Sequence, residues 1–164
     1  MSSLPAVDTK PLRQALGRFT TGVTIITCLD AQGRAVGLTA NSFTSLSLAP
    51  ALVLWSLRRS SPTLAAFSAA THFAVNVLGE AQVEVSRHFA SNAVDRFAQG
   101  QWSAGLAGLP VLAGSAAVFE CASVSQQDAG DHVLFIGRVL DFVEAPVAPL
   151  LFQAGHYRML GEVL

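Results

Sequence analysis

Hydrophobic and polar positions change period several times along the chain. Leu12, Ala15, Leu16 and Phe19 recur at helical spacing, which predicts an opening helix N-capped by Asp8 or Thr9 and ended by the TTG of residues 20–22. The period then switches. VTIITCL (23–29) is a β-branched run closed by the Gly-containing loop DAQGR, and AVGLTANSF returns from it as the second arm of a hairpin. ALVLWSL (51–57) is a continuous apolar run of strand length. It is followed by polar RRSSP and a helix TLAAFSAA, whose start is signalled by Ser60 or Ser61 before Pro62. HFAVNVL (72–78) predicts another strand, and AQVEVSRHFA and NAVDRFAQ predict helices. After a Gly-rich loop over 102–110, AAVFECASVSQ and HVLFIGRVLDFVEA read as two long alternating strands joined by QDAGD, and LLFQAGHYRML closes the chain.

Six or seven strands in hairpin-like succession, interrupted by helices without alternating with them, favour an antiparallel barrel or sandwich over a doubly wound parallel sheet. No G-x-G-x-x-G follows a strand, so a Rossmann domain is not expected. At 164 residues the chain reads as a single domain over 1–164, with 1–10 a flexible N-terminal segment. Hydrophobic residues make up 51% and charged residues 13%, with a mean hydropathy of +0.47. That leaves little charged surface to cover the outside, so a subunit interface is expected.

A formal net charge of −1 with scattered cations argues against nucleic-acid or anionic-membrane partners. MSSLPAVDTK lacks the basic and apolar regions of a signal peptide, and no apolar run approaches a membrane span, so a cytoplasmic location is expected. Cys28 and Cys121 lie inside strand-like runs with no C-x-x-C spacing and read as plain buried thiols, with no metal site.

The stretch LTANSFTSLSLAPALVLWSLRRSSPT (38–63) carries more polarity than a packed strand needs. Thr39, Asn41, Ser42, Thr44, Ser45 and Ser47 crowd together, and each such group, if buried unpaired, costs about 1–3 kcal/mol. RRSSPT adds Arg58, Arg59, the Ser61 and Thr63 hydroxyls and a helix start, the components of an anion cradle. Taken alone, the same residues also make a capped strand-to-helix turn with solvated arginines. Taken together, they suit a planar heteroaromatic ring joined through a polyol to a phosphate, which describes flavin mononucleotide. His132 stands at the mouth of a long strand, and His156, Tyr157 and Arg158 group a ring, a phenol and a cation near the end. Either set serves equally well as a wet strand end. His72 and His88 have no ligand-spaced partner and read as structural. Hydrolase and P-loop signatures (G-x-S-x-G, H-E-x-x-H, G-x-x-x-x-G-K) are absent.

The order RQALGRFTTGVTIIT, GLTANSFTSLSLAPALVLWSL, RRSSPT, FAVNVL, GDHVLFIGRV, GHYRML resembles the short-chain flavin reductases, the reductase components of two-component flavin-dependent monooxygenases, over about residues 12–160. The resemblance implies a fold that is mainly β with flanking helices, an antiparallel Greek-key split β-barrel of the FMN-binding type, acting as a homodimer with flavin near the subunit interface. It implies an NAD(P)H:flavin oxidoreductase using FMN or FAD, with NADH or NADPH as co-substrate, that supplies reduced flavin to a separate oxygenase. A flavin-binding electron-transfer or storage module without nicotinamide turnover is the alternative.

By position, the resemblance places the flavin ring and ribityl chain against Thr39, Ala40, Asn41, Ser42, Ser45, Leu46, Trp55, Ser56 and Leu57. It places the flavin phosphate at Ser61 and Thr63 with Arg58 or Arg59 nearby, and the nicotinamide nucleotide at His132, His156, Tyr157 and Arg158. No residue acts as a chemical catalyst in that scheme, His132 at most positioning the nicotinamide, since hydride passes between cofactors. Two departures stand out: Trp55 is bulky for its place, and Pro50–Ala51 replaces a double proline.

Overall fold

The computed structural model describes residues 6–164. Asp8 caps helix α1 (Thr9–Leu16), its carboxylate accepting the Lys10 amide at 3.0 Å and satisfying one of the free N–H groups of the first turn. The helix stops at Gly17, short of the predicted TTG, and Thr21–Gly22 form the short strand β1. Of the expected flexible segment over 1–10, residues 1–5 lie outside the described residues, and Thr9 is already helical. The apolar stripe of α1 is unburied: Leu16 and Phe19 are 66% and 80% exposed.

β2 (Thr24–Leu29) and β3 (Ala35–Ala40) make the expected hairpin. Next come β4 (Thr44–Leu48), β5 (Ala51–Arg58), α2 (Leu64–Ala69), β6 (His72–Val77) and α3 (Val83–Ala90). β7 (Trp102–Ala104), β8 (Pro110–Leu112), β9 (Ala117–Ala129), β10 (His132–Glu144), β11 (Leu151–Gln153) and β12 (His156–Arg158) complete the chain. Seven strands form one antiparallel sheet in the order β3-β2-β6-β9-β10-β5-β4, while β1, β11 and β12 form a second sheet and β7 and β8 a third. The fold is therefore mainly β with flanking helices, as expected. Consecutive strands β3 and β4 stand at opposite edges and do not pair, so the large sheet is split rather than closed by hydrogen bonds.

Two local expectations fail. NAVDRFAQ makes only a 3-10 turn at Arg96–Ala98, because only Phe97 of this segment belongs to a buried cluster and there is no apolar stripe to dock a longer helix. The loop over 102–110 contains the β7–β8 hairpin, whose three-residue strands are too short to show a period-2 signal.

The continuous apolar runs have a simple cause. Along β2 and the residue before it, Ile26 and Cys28 face one core and Val23 and Ile25 face another, so the strand is buried on both sides. Its hydroxyls are satisfied: Thr24 Oγ1 donates to the Ala40 carbonyl and Thr27 Oγ1 to the Pro110 carbonyl, each at 2.7 Å. Asn76 on β6 accepts the Leu112 amide at 2.9 Å and donates to the Ile25 carbonyl at 3.0 Å, pinning β8 to the sheet.

The first core centres on Trp55, which lies directly across from Phe135 in the β5–β10 ladder and stacks on it at 4.5 Å and 13°. Phe67 and Phe73 meet Trp55 edge-on. Gly137, two residues beyond Phe135, has no room for a side chain because the Phe73 ring occupies that space.

Candidate functional site

The β5–β10 register sets His132 opposite Arg58 at one end of the large sheet. Beside them opens a cleft of about 570 Å³ lined by Thr39, Ala40, Asn41, Ser42, Ser56, Leu57, Arg58, Ser60, Ser61, Pro62 and His132, and closed on the far side by Phe89, Ala90 and Arg96. Residues separated by nearly a hundred positions thus converge where β3, β5 and β10 end and the turn into α2 begins.

Each polar group there has a definite assignment. Ser42 Oγ donates to the Ser56 carbonyl and accepts the Ser56 amide, both at 3.0 Å, so this hydroxyl stands in for a missing ladder rung between the loop before β4 and the end of β5. Thr39 Oγ1 donates to the Ser86 carbonyl at 2.7 Å, tying β3 to α3. Ser61 and Thr63 hydroxyls bond each other at 2.9 Å, with Ser61 lining the cleft. The side chains of Asn41 and Arg58 make no hydrogen bond among the described residues, and both line the cleft. Arg59, by contrast, donates through Nε to the Gly130 carbonyl at 3.1 Å and pairs with Asp128 at 2.7 Å, clamping the β9–β10 turn. Arg58 is the cation available to a ligand.

His132 Nδ1 lies 2.7 Å from the Asp131 carboxylate. Hydrogen bonding to His132, with its positive charge, holds that carboxyl below its usual range. An ionised carboxylate only accepts, so Nδ1 carries the hydrogen and Nε2 is left for a ligand. Arg58 and Arg96 give the cleft a cationic lining, and no Asp or Glu is among its lining residues. Arg96, which local sequence did not single out, is held by donation to the Gly37 and Ser91 carbonyls at 2.9 and 3.0 Å. Gly37 is required there, since a Cβ would sit 2.9 Å from the Phe89 ring that walls the cleft.

Several expected positions lie elsewhere. Trp55 is fully buried in the first core and cannot touch a ligand in the cleft. Ser45 and Leu46 sit further back along edge strand β4, at a bulge opposite Val53 and Leu52, exposed and outside the cleft. Thr63 reaches the cleft only through Ser61. His156, Tyr157 and Arg158 belong to β12, and none of them lines the cleft that holds His132. Tyr157 packs against Phe152 in the second core, and its hydroxyl bonds Ser86 Oγ at 2.8 Å, so Tyr157, Ser86 and Thr39 form one line of polar ties beneath the cleft. Cys28 and Cys121 are core residues whose thiols burial pushes up to about 12, so neither is a nucleophile at neutral pH.

A second, larger cleft of about 1050 Å³ lies between α1 and the β11–β12 hairpin and shares Asn41 with the first. No helix of the described residues is long and apolar enough to cross a membrane.

Residues 16–161 match the model of the flavin reductase like domain. The chain is 43% identical to the reductase component of flavin-dependent trigonelline monooxygenase of Acinetobacter baylyi, over 96% of this chain and 51% of that protein. It is 43% identical to the FMN reductase (NADH) SmoA of Agrobacterium fabrum, over 92% of this chain and 85% of that protein. The structure of the Streptomyces globisporus NADH:FAD oxidoreductase SgcE6 in complex with NAD and FAD fragments superimposes with a TM-score of 0.89 at 37% identity, covering 96% of this chain and 98% of that one. The chain thus spans about half the length of the Acinetobacter relative and most of the other two.

Proposed function

The chain belongs to the flavin reductase-like domain family, and on that premise we propose that it is an NAD(P)H:flavin oxidoreductase releasing reduced flavin to a separate monooxygenase. The observation that carries this reading is the cleft at the ends of β3, β5 and β10, whose lining holds Arg58 and Arg96 and no carboxylate, Arg58 making no side-chain hydrogen bond among the described residues. Its donor set suits a flavin phosphate: a guanidinium able to bond two oxygens and the Ser60 and Ser61 hydroxyls. The backbone from Thr39 to Ser42 offers the amide and carbonyl edges that a ring system with several heteroatoms uses.

When bound, the flavin supplies the hydride acceptor. The chain's own residues do the rest. Arg58 and Arg96 neutralise the phosphate, and Phe89 and Leu57 keep water from one side of the cleft. Asn41, unbonded at the junction of the two clefts, is placed to hold a ring edge where a nicotinamide approaching from the larger cleft would meet it. Asp131, bonded to Nδ1 of His132, fixes the orientation of the ring and leaves Nε2 toward the ligand.

Asn41, Ser42, Arg58, Ser60 and Pro62 are exposed at the rim, which favours a diffusible flavin over a stored one. The same reading makes the protein a homodimer. On β5 and β10, residues Leu52, Leu54, Leu134 and Ile136 alternate with the core positions and turn a half-buried apolar face outward, beside exposed Leu46 and Leu48 of β4.

The test is steady-state oxidation of NADH and NADPH by the purified chain with FMN and with FAD. Flavin-dependent oxidation by a nearly colourless protein is the expected outcome. A tightly yellow protein that ignores both nucleotides would replace the reductase with a flavin-storage module.

A further inference from the structure

Helix α3 walls the cleft of Arg58 and His132 with Phe89 and Ala90. What seats the helix there is mostly apolar: Phe89 is buried in the second core, with Val83 and Val85 packed against that core. Apolar packing is non-directional and tolerates small slides and rotations. The cleft wall has no such slack, since the Phe89 ring lies so close on β3 that a Cβ at Gly37 would meet it at 2.9 Å.

One polar residue interrupts the buried face of α3. Ser86, a helical turn before Phe89 and Ala90, is fully buried. Left unpaired, a hydroxyl in that place is costly, and alanine would suit the helix better. The Ser86 hydroxyl has one partner among the described residues, the Tyr157 hydroxyl 2.8 Å away. The Ser86 carbonyl meanwhile accepts Thr39 Oγ1 at 2.7 Å, so a single residue ties α3 to β3 on one side and to β12 on the other. The Tyr157 ring is itself held, edge-on by Phe152 at 5.5 Å and across its face by the Arg87 guanidinium at 5.5 Å. A satisfied polar tie of this kind fixes one register where apolar contacts allow several.

Tyr157 lines neither cleft, so what it does for a ligand passes through Ser86. We propose that Tyr157 is a positioning residue for the flavin: its hydroxyl, acting through Ser86, sets the register of α3 and with it the place of the Phe89 wall. That the ligand is a flavin rests on the reductase reading above, whereas the seating of α3 does not.

Tyr157→Phe and Ser86→Ala each delete one end of the tie and are compared singly and together. Each should weaken FMN binding about fivefold in a fluorescence titration and raise KM for FMN, with kcat and the KM of the nicotinamide donor unchanged. The double variant should bind FMN no more weakly than either single one, because both changes remove the same bond. Ser115→Ala is the control: its buried hydroxyl donates to the Leu112 carbonyl at 2.9 Å outside both clefts, and its loss should lower the melting temperature while leaving FMN affinity as it was. In ligand-free protein, the α3 amides should exchange hydrogen about fivefold faster in both single variants, while those of β5 and β10 stay protected. Unchanged FMN affinity in Tyr157→Phe, losses that multiply in the double variant, or an equal loss in Ser115→Ala would overturn the assignment. So would a raised donor KM with unaltered FMN affinity, which would place Tyr157 with the nicotinamide. Faster α3 exchange with the same non-additivity in a protein that binds no flavin would strike the reductase reading alone and keep Tyr157 as the residue that seats α3.

Discussion

Arg58 and Arg59 are neighbours with opposite surroundings: one faces the cleft unpartnered, the other bonds Gly130 and Asp128. Arg58→Gln should therefore weaken FMN binding about tenfold in a fluorescence-quenching titration, whereas Arg59→Gln should leave it unchanged and slightly lower the melting temperature. Equal losses of affinity from both would show that the phosphate is not held at Arg58. The sequence held a signal for this parity that the apolar run ALVLWSL obscures. Ser56 is its one polar residue, and since alternate strand residues share a face, a wet Ser56 puts Trp55 and Leu57 inside and Arg58 outside. Thr39 and Ser42 were legible as polar residues needing partners, but not which partners, because Ser86 and Ser56 reach them only through the tertiary fold. Arg96 and Phe89 had no local signal at all, since they enter the cleft from helix α3 and the turn after it.

The two-residue turn joining β11 to β12 illustrates how an element can carry strain at a working surface. Ala154 and Gly155 both have positive φ, 50° and 81°, the geometry of the tight hairpin turn that prefers Asn-Gly. Alanine there is disfavoured by about 1 kcal/mol or more. Ala154→Asn should raise the melting temperature by a few degrees, and a lower one would mean that the alanine methyl contributes packing against α1 that outweighs the strain. Elements of this kind are where the sequence was least informative. The long alternating strands β9 and β10 and the doubly buried β2 and β6 were readable from their periods. The three-residue strands β7, β8, β11 and β12 are too short to have one. Helix α1 was readable as a helix, but its stripe of Leu12, Leu16 and Phe19, which in isolation signals a buried face, lies exposed beside a cleft.

At the scale of the molecule, the open sheet has two unlike edges. α3 is bonded to β3 through Thr39, while β4 presents Leu46 and Leu48 to solvent, Leu48 being 92% exposed. The native chain should run as a dimer, twice 17.2 kDa, in light scattering. Leu46→Glu together with Leu48→Glu should give a folded monomer with an unchanged far-ultraviolet spectrum. A native monomer, or a double variant that stays dimeric, would rule this edge out as the contact. That the chain's strands pair antiparallel was readable from its hairpins, but that β3 and β4 part to opposite edges was not, since the short link over 41–43 reads like another hairpin turn. The same distribution of aromatics gives the molecule two separate optical reporters. Trp55, stacked on Phe135 and shut away from solvent, should shift its emission to longer wavelength when the first core opens to water. Trp102 is partly exposed and packs on Phe89 at 5.3 Å, the ring that walls the cleft of Arg58 and His132. Its emission should therefore change when a ligand displaces the Phe89 ring, a response to be read in the same cuvette as unfolding and without a label.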